Sequence, residues 1–520
     1  MRPEGRPGEL FAAFSRINAR AFRDDRLVSC PVLSKAPDCG DVLRRFLAPA
    51  TRRPRSPAFW LKCALRYAAA NLGHLAFMLC AALFIRFLRF KMPATSEGKG
   101  QGGDGETLIL DTFAVLPALA EDGAYRELYL VGLEESARAA GHEVLTLFRF
   151  YGSRDPRLLR KALGVLSRKA GAMTEIHLLT CTDWARLLLH TLLYPFSLLR
   201  LVRSLREYPP SSPEACIREA LIDCAGQCVL VGESRRLAAR RLAFLLSRES
   251  SPDLRRARVI SWYENQTVNK AFQRGLAGAE AEGARRVHVT GAQLFIWPGN
   301  LLNNHADDVE AELGLAPDCV LVNGPCFLPE HSRQDYAVGP ALRYAGVFRP
   351  RPCPAGSGPV LVLLSYHTEE TERVLRLLRA AGRENPEAFV YRFHPATRPG
   401  DFASLLPPEP RLSAGSLRDA LDAAGAIIGA GSGAVVEAAA TGIPVLAVED
   451  PSGIAGLGLN YLPDFGKGEL WESVRAPCDV PRALDRLRAE LPDRPEKVRA
   501  FRDMLFCEAT PERIRESFRL

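Results

Sequence analysis

From residue 107 onward the chain alternates between short apolar runs and longer segments whose apolar residues recur at helical spacing. Each apolar run, such as TLILD at 107–111, has the length of one buried strand, and each longer segment has the length of one helix. Strands separated by helices predict parallel sheets with right-handed crossovers. The predicted strands of the first series are 107–111, 142–147, 175–180, 228–231, 257–262 and 286–290, with a helix at 130–140.

A second alternating series begins at residue 360. Its predicted strands are 360–364, 388–393, 426–428 and 444–448, and its predicted helices are 369–383, 417–424, 434–441, 482–491 and 494–506, the last two able to pack on either domain. Between the series, residues 348–359 concentrate proline and glycine, which break helices and strands alike. The fold class is therefore α/β, with two Rossmann-like, doubly wound domains at 106–347 and 360–520, joined by the 348–359 linker and facing a cleft.

The first 105 residues carry a different pattern. Their most apolar window, 67–85, spans roughly 28 Å at about 1.5 Å per residue, close to the thickness of a bilayer core. Basic residues flank it on both sides, for example Arg66 and Arg86, so the orienting charge bias is lost. This favours a helix lying on an anionic cytoplasmic leaflet. A true span and a buried helix of a soluble domain are the alternatives.

Two further segments complete this pattern. Residues 184–202 are also apolar, but Arg186, His190, Pro195 and Arg200 interrupt them, which favours an amphipathic or core helix over membrane contact. Residues 92–105 are rich in glycine and small polar residues and predict a flexible linker.

Charge is distributed unevenly along the chain. Lys and Arg number 68 and Asp and Glu number 60, a net charge of +8. Residues 1–105 contain 18 basic and 8 acidic residues, a net +10, so the remaining 415 residues carry 50 and 52, a net −2. A nearly neutral body disfavours a nucleic-acid partner, which would require clustered basic residues. The basic segment instead predicts an inner-leaflet membrane surface as partner, and a cytoplasmic protein peripherally associated with that membrane.

Cysteine usage agrees with a cytoplasmic location. The 13 cysteines form no CxxC pair, and the closest two, Cys224 and Cys228, have no histidine or second pair to complete a metal site. We expect reduced thiols, no metal and no cofactor. Asp307 and Asp308 follow His305 in a loop, where a metal site is a minor alternative.

The segment 426–448 reads as strand, tight turn, helix, turn and strand. In parallel sheets ligands sit at the carboxyl ends of strands. Gly431, Ser432 and Gly433 let a backbone approach a ligand closely, and the helix that follows directs free N–H groups at the same place, so an anion such as a phosphate would be held there. Glu437, one turn into the helix, is within reach of a ribose hydroxyl pair.

Two further strand ends of the second domain carry polar residues. Arg392, His394 and Pro395 end the strand at 388–393; proline stiffens the exit, and both the histidine and the arginine could contact one anion. Protonated, the imidazole would offset charge on a departing phosphate. Ser365 ends the strand at 360–364 and could bind phosphate or cap the next helix.

In the first domain, the candidate catalytic residue is Glu264. It follows the strand at 257–262 and lies beside Trp262 and Tyr263 in the sequence. A carboxylate at a strand end can act as a general base, with Asn265 and Gln266 donating hydrogen bonds to hydroxyl groups. A cluster that caps the next helix is the alternative reading.

Taken together, these residues resemble the GT-B glycosyltransferases of bacterial surface-polysaccharide (capsule and lipopolysaccharide) biosynthesis, especially the Kdo transferases and bacterial sialyltransferases. The resemblance extends from about residue 107 to the C-terminus and is best at 360–450. His394 and Pro395 match the family's HP motif, and Ser432 matches one serine of its SS motif, while Gly431 or Gly433 stands where the other serine would be.

The resemblance implies a nucleotide-sugar donor, with a CMP-sugar favoured, and a glycan or lipid-linked acceptor at the membrane. It implies that the HP and SS positions hold the donor phosphate and ribose, and that a carboxylate of the acceptor domain, for which Glu264 is the candidate, is catalytic. Three alternatives stay open: a CDP-glycerol-type polyol-phosphate transferase, an enzyme like UDP-GlcNAc 2-epimerase, and a non-catalytic assembly scaffold.

Overall fold

The chain forms two α/β lobes, each built on a parallel sheet. The computed structural model describes residues 6–35, 55–91, 106–247, 257–298, 301–330, 332–351, 358–365, 367–381, 389–395, 397–430, 432–449, 461–490 and 494–520. The predicted linker at 92–105 lies outside these residues. The predicted domain boundaries stay predictions.

The first lobe contains a seven-stranded sheet in the order β3-β2-β1-β4-β5-β6-β7, with every neighbouring pair parallel. Its strands are β1 (Thr107–Val115), β2 (Glu143–Tyr151), β3 (Ala172–Thr174), β4 (Ala257–Trp262), β5 (His288–Gln293), β6 (Cys319–Val322) and β7 (Asp335–Val338). The central strands are almost fully buried, as expected when helices cover both faces of a parallel sheet.

The second lobe contains a five-stranded parallel sheet in the order β12-β11-β10-β8-β9. Its strands are β8 (Val360–Leu363), β9 (Phe389–Arg392), β10 (Ala426–Gly429), β11 (Val445–Val448) and β12 (Trp471–Val474). The strand order reverses beside β8 and β10, which is where open parallel sheets bind ligands. The predicted fold class, two Rossmann-like lobes facing a cleft, is confirmed.

Helices cover both sheets. In the first half of the chain they are α1 (Arg6–Ala21), α2 (Pro57–Phe87), α3 (Leu116–Asp122), α4 (Leu133–Ala139), α5 (Pro156–Leu166), α6 (Glu175–Leu178), α7 (Cys181–Ser204), α8 (Pro213–Asp223), α9 (Leu230–Leu246) and α10 (Thr267–Ala281). In the second half they are α11 (Asp308–Glu312), α12 (Thr368–Ala381), α13 (Leu417–Ala423), α14 (Gly433–Ala440), α15 (Asp479–Glu490), α16 (Pro495–Leu505) and α17 (Pro511–Phe518).

Two predicted strands of the first series are wrong. Residues 175–180 begin with α6, whose start is fixed by a capping box in which Thr174 and His177 exchange hydrogen bonds. Residues 228–231 lead into α9, where the side-chain oxygen of Asn71 accepts from the N–H groups of Val229 and Leu230. Periodicity cannot distinguish a short apolar run from the start of a helix. For α9, the capping residue Asn71 also lies more than 150 positions away in the sequence.

The C-terminal helices tie the lobes together. Helix α15 packs on β11 and β12, α16 packs on α14 and on the 325–327 turn of the first lobe, and α17 packs on α4. The turn after α16 bonds to the first lobe, because the N–H of Cys507 donates to the carbonyl of Asn323 at 2.6 Å and the N–H of Ala341 donates to the carbonyl of Cys507 at 2.8 Å. A single hydrophobic cluster therefore runs through both lobes.

The N-terminal residues divide into two parts with different surroundings. Helix α1 and the following residues to Lys35 are buried in the first lobe, where Leu10, Phe14 and Phe22 belong to one of its core clusters. Helix α2 instead lies on the outside of that lobe and contacts α5, α6 and α9. Only 17% of its most apolar window is buried.

Candidate functional site

A cavity of about 840 Å³ lies between the lobes. Residues of the first-lobe strand ends form one wall and His394 and Tyr461 of the second lobe contribute to the other. Helix α2 closes one end through His74, Phe77 and Met78. Both predicted catalytic residues, Glu264 and His394, line this cavity although 130 positions separate them in the sequence.

The strand register of the second lobe sets its ligand-facing turns side by side. Gly429 of β10 pairs with Leu363 of β8, which pairs with Arg392 of β9. These three strands therefore end at the same height on one edge of the sheet. The chain continues from them to Ser365, to His394 and to the turn before α14. Because neighbouring strands lie about 4.8 Å apart, the strand ends leading to His394 and to the glycine turn are separated by roughly 10 Å, a gap that fits a phosphate or diphosphate.

His394 stands half-exposed at the end of β9, followed by an exposed Pro395. Partial burial, and then the neighbouring His367, lower the pKa of the imidazole below its usual value. The ring is therefore neutral near pH 7 and has one N–H to donate. An anion bound beside it would favour the protonated form.

The start of α14 lies beside the cavity. Ser432 precedes the helix and its side chain makes no capping hydrogen bond, so the first amide groups of the helix are not capped by it. A Cβ atom on Gly433 would lie 3.8 Å from Ile296, a residue that lines the cavity. The helix start therefore borders the cleft, with its positive dipole end in reach of an anion. Gly431 lies outside the described residues.

Two predicted binding residues have other partners. The guanidinium of Arg392 donates to Ser413 Oγ at 3.3 Å and to the carbonyl of Gly415 at 3.0 Å, and it does not line the cavity. The buried hydroxyl of Ser365 accepts from the N–H of His367 at 3.1 Å, just before α12. The phosphate-binding and capping roles of Ser365 both stay predictions, and Arg392 is bonded away from the cavity.

Glu437 lies on α14, partly buried near the junction of the lobes. Burial raises the pKa of its carboxyl from 4.5 to about 7, against the opposing effect of Arg343 and Arg418. Arg343 lines the cavity, so its influence on Glu437 links that carboxyl to the cleft. A carboxyl with this pKa is partly protonated at neutral pH.

Glu264 is held by hydrogen bonds at both carboxylate oxygens. The Trp262 indole donates to Oε1 and the Gln266 amide donates to Oε2, each at 2.7 Å. The side-chain oxygen of Asn269, in α10, accepts from the backbone N–H groups of Glu264 and Gln266 at 3.2 Å. These contacts fix the carboxylate in the wall of the cleft.

The backbone beside Glu264 is strained. Asn265 has φ +50, a left-handed conformation in which asparagine is tolerated better than most residues. Its buried side chain accepts from the Tyr263 hydroxyl at 2.9 Å and donates to Glu310 at 3.3 Å. These buried contacts hold the left-handed conformation of Asn265 next to Glu264, which lines the cavity.

The sequence did not single out the cationic and aromatic residues of the first-lobe wall. Arg149 and Tyr129 line the cavity with Phe113, and Arg343 joins them from the residues that follow β7. An arginine between phenylalanines in the apolar run of β2 was the available signal. The predicted strand ends at residue 147, so that arginine lies outside it, whereas β2 extends to Tyr151.

The contacts of Asp307 stabilise the fold. It caps α11, and its carboxylate pairs with the buried ammonium of Lys35 at 3.1 Å. Among the described residues no group of three or more His, Cys, Asp or Glu side chains is placed to hold a metal ion. The contacts of Asp307 tie the N-terminal residues to the first lobe.

The chain is similar to several solved structures at low sequence identity. It is 11% identical to a UDP-N-acetylglucosamine 2-epimerase, covering 80% of this chain and 95% of that one with a TM-score of 0.42. It is 14% identical to MurG of Acinetobacter baumannii (80% and 100% covered, TM-score 0.39) and 17% identical to the calicheamicin glycosyltransferase CalG4 (80% and 98% covered, TM-score 0.36).

No protein-family model matches the chain, and no curated protein matches its sequence. The similarities to solved structures are too low to assign an activity. Function therefore has to be inferred from the chain's own residues. The topology establishes the fold predicted from the sequence, two parallel α/β lobes facing one cleft in the GT-B arrangement. It also settles a point that the sequence left open, since the C-terminal helices return to the first lobe.

Proposed function

We propose that this protein is a glycosyltransferase that moves a sugar from a nucleotide-activated donor in the second lobe to an acceptor in the first. The observation that carries the proposal is that Glu264 of one lobe and His394 of the other line the same cavity. Group transfer between two bound substrates needs a proton acceptor on one side and stabilisation of a departing anion on the other.

In the proposed reaction, the carboxylate of Glu264 takes the proton of the acceptor hydroxyl as its oxygen attacks the anomeric carbon. The bond from that carbon to the donor phosphate breaks, and the phosphate leaves with the bonding electron pair. His394 donates a hydrogen bond to the leaving phosphate, and the amide groups at the start of α14 bind its charge. We assign Glu437, one turn into α14, to a ribose hydroxyl of the donor.

A CMP-activated sugar is the donor we favour. His394 with Pro395, and Ser432 in the turn before α14, stand at the HP and SS positions of the transferases that the sequence resembles. This choice among nucleotides rests on that resemblance, whereas the phosphate site rests on the strand register.

The acceptor we propose is a glycan or lipid at the inner leaflet of the cytoplasmic membrane, as in surface-polysaccharide biosynthesis. Helices α2 and α7 contact each other through Tyr67, whose ring stacks on that of Tyr194 at 6.0 Å and whose hydroxyl donates to the carbonyl of Thr191 at 2.9 Å. Twelve of the nineteen exposed large hydrophobic side chains among the described residues belong to these helices. This apolar face consists of Trp60, Leu61, Leu65, Leu72, Leu79, Leu83, Phe87, Leu188, Leu189, Leu192, Phe196 and Leu199.

Both helices are long and apolar enough to cross a bilayer, by length and composition alone. Their position on the surface of the first lobe favours a helix pair that rests on the membrane with the apolar face inserted. Since α2 also closes one end of the cavity, a membrane-bound acceptor would reach the cleft along this helix.

The donor site is tested by thermal unfolding with CMP, CDP, UDP and GDP. We expect one nucleotide to stabilise the protein, by about 2.7 kcal/mol at 100 times its dissociation constant. His394→Ala should lose most of that shift, whereas His142→Ala, a histidine of the first lobe that bonds to Glu106, should keep it. If none of the four nucleotides stabilises the wild-type protein, the non-catalytic scaffold is the alternative that remains.

Activity assays then separate the enzyme classes. Nucleotide release from CMP-sugars in the presence of membrane lipid supports glycosyl transfer. Release from CDP-glycerol in its place would identify a polyol-phosphate transferase. Interconversion of UDP-GlcNAc without nucleotide release would identify an epimerase.

Membrane binding is tested by sedimentation with vesicles of phosphatidylcholine and phosphatidylglycerol. The double variant Leu192→Ser and Phe196→Ser removes two of the most exposed side chains of the apolar face, 68% and 67% exposed, and should reduce the bound fraction severalfold. The control, Leu412→Ser with Met504→Ser, removes exposed side chains elsewhere, 50% and 42% exposed. Equal binding of the two double variants would exclude the apolar face as the contact.

A further inference from the structure

The first-lobe wall of the cavity contains a buried arginine whose hydrogen-bonding capacity is mostly unused. Arg149, on β2, is 4% exposed and lines the cavity. Its Nη2 donates to the carbonyl of Trp262 at 2.8 Å. Its Nε and Nη1 have no hydrogen-bond acceptor among the described residues. A guanidinium has five N–H donors and always carries its charge, so an arginine buried in this way is costly unless something else binds it.

The nearby carboxylates satisfy this group only in part. Asp111 Oδ1 forms a buried ion pair with Arg149 Nε at 3.3 Å, without a hydrogen bond, while Asp111 Oδ2 pairs with Arg235 at 2.5 Å and accepts from Ser261. Glu175 also pairs with Arg235, at 2.9 Å. Arg235 therefore contacts both carboxylates, while Arg149 pairs with Asp111 alone and lies over the ring of Phe113, 4.1 Å from its guanidinium carbon. Its Nη1 keeps no acceptor among the described residues.

A second guanidinium faces the same cavity. Arg343 is exposed, and its guanidinium carbon lies 5.4 Å from the Tyr129 ring and 6.0 Å from the Trp262 ring. It makes no ion pair with any described residue. Glu264 accepts from the Trp262 indole, so both arginines lie close to the proposed base.

We propose that the acceptor carries an anionic group, a phosphate or a carboxylate, that Arg149 binds on the first-lobe side of Glu264, with Arg343 as a second cation at the cleft. This inference rests on the proposed function and names the substrate class of the same cleft. The group belongs to the acceptor because Arg149 lies on β2 of the first lobe, beside α2, whose Phe77 contacts Phe150 at 5.9 Å. The donor phosphate site lies on the opposite lobe.

The test uses the full chain and three soluble probes: hexyl phosphate, hexanoate and hexanol. Thermal unfolding in their presence should show stabilisation by one or both anions and none by hexanol. The hexyl phosphate and hexanoate titrations decide whether the site prefers phosphate or carboxylate. Equal shifts from all three probes, or no shift, would overturn the proposal.

Arg149→Gln should weaken anion binding at least tenfold. Arg240→Gln is the matched control, since it removes the same charge from α9 where Arg240 pairs with the exposed Glu282. Arg343→Gln replaces an exposed side chain and should weaken anion binding severalfold without disturbing the core. This second variant keeps the test decisive if Arg149→Gln does not fold. The proposal would be overturned if Arg343→Gln binds the anions as tightly as the wild type and Arg149→Gln either does the same or does not fold.

His394→Ala separates this inference from the proposed function. It should weaken nucleotide binding and leave hexyl phosphate binding unchanged, while Arg149→Gln should do the reverse. If hexyl phosphate binding is lost with His394→Ala, the anion occupies the donor site and the acceptor inference fails. If no nucleotide binds but hexyl phosphate binding depends on Arg149, the anion site stands and the glycosyltransferase assignment fails.

Discussion

The two walls of the cleft are built in different ways. The first-lobe wall consists of large side chains locked by buried contacts: Glu264 is bonded at both oxygens, and Arg149 lies between Asp111 and the ring of Phe113. The second-lobe wall is smaller: the side chains of His394 and Tyr461 line it, and the start of α14, which begins with a glycine, lies beside the cavity residue Ile296. One wall presents many fixed side chains, and the other presents two side chains next to the amide groups of a helix start.

This difference matches the two tasks of the proposed reaction. Phosphate is the same in every nucleotide, and backbone amides at a helix start bind it without needing a particular side chain. An acceptor has its own shape and charge, which only side chains can recognise. The rigid wall also keeps the proposed base at a fixed position, as proton transfer requires.

We expect the largest effect from Glu264→Gln, which changes the first-lobe wall alone. The amide preserves the shape of the side chain but cannot accept the acceptor proton, so we expect transfer to fall by about 10²–10⁴. Nucleotide binding, which belongs to the other wall, should stay unchanged in the thermal unfolding assay. Glu282→Gln, on the surface, is the control. Loss of nucleotide binding in Glu264→Gln would show that the two walls do not act separately.

Lys35→Met tests how the N-terminal residues stiffen the first wall. The Lys35 ammonium is fully buried between Asp307 and Glu310, at 3.1 and 3.0 Å, and its removal leaves two carboxylates without that partner. We expect a loss of about 3–5 kcal/mol in the free energy of unfolding, measured with urea. Arg20→Met, which breaks an exposed ion pair with Glu207, should cost less than about 1 kcal/mol.

Gly275→Ala tests the close contact of α9 and α10. A methyl group at this position would clash with the carbonyl oxygen of Arg236 and lie 2.8 Å from the Cβ of Ala239. We expect a loss of about 1–3 kcal/mol in the free energy of unfolding. Gly278→Ala, on the same helix with nothing within 4 Å, should instead gain about 0.5–1 kcal/mol. Two equal effects would contradict the close packing.

Glu437→Gln tests the second wall by its pH dependence. Burial raises the pKa of Glu437 from 4.5 to about 7, so between these pH values the folded protein keeps a proton that the unfolded chain has lost. The stability from this group is full below about pH 4.5 and falls as the pH rises through 7. Urea unfolding should find the variant more stable than the wild type by about 1–3 kcal/mol at pH 8, and a smaller difference at pH 5. An equal difference in the free energy of unfolding at pH 5 and pH 8 would show that Glu437 does not titrate between these pH values.

Local patterns predicted the elements that depend on local sequence. The strands at 107–115, 257–262, 360–363 and 426–429 follow from short apolar runs, and the turn before α14 follows from its glycines. The predicted strand at 175–180 is wrong because a short apolar run also fits the start of a helix, here capped locally by Thr174 and His177. The predicted strand at 228–231 is wrong because Asn71, on a helix far away in the sequence, caps α9.

The sequence by itself determined that the chain forms two parallel α/β lobes and that His394 and the glycine turn stand at strand ends of one of them. Parallel sheets place all such ends on one edge, so this much follows from element order. Only the tertiary structure brought Glu264 to the same cavity as His394, withdrew Arg392 from it and buried Arg149 in its wall. These outcomes depend on contacts between residues distant in the chain, which no local pattern encodes.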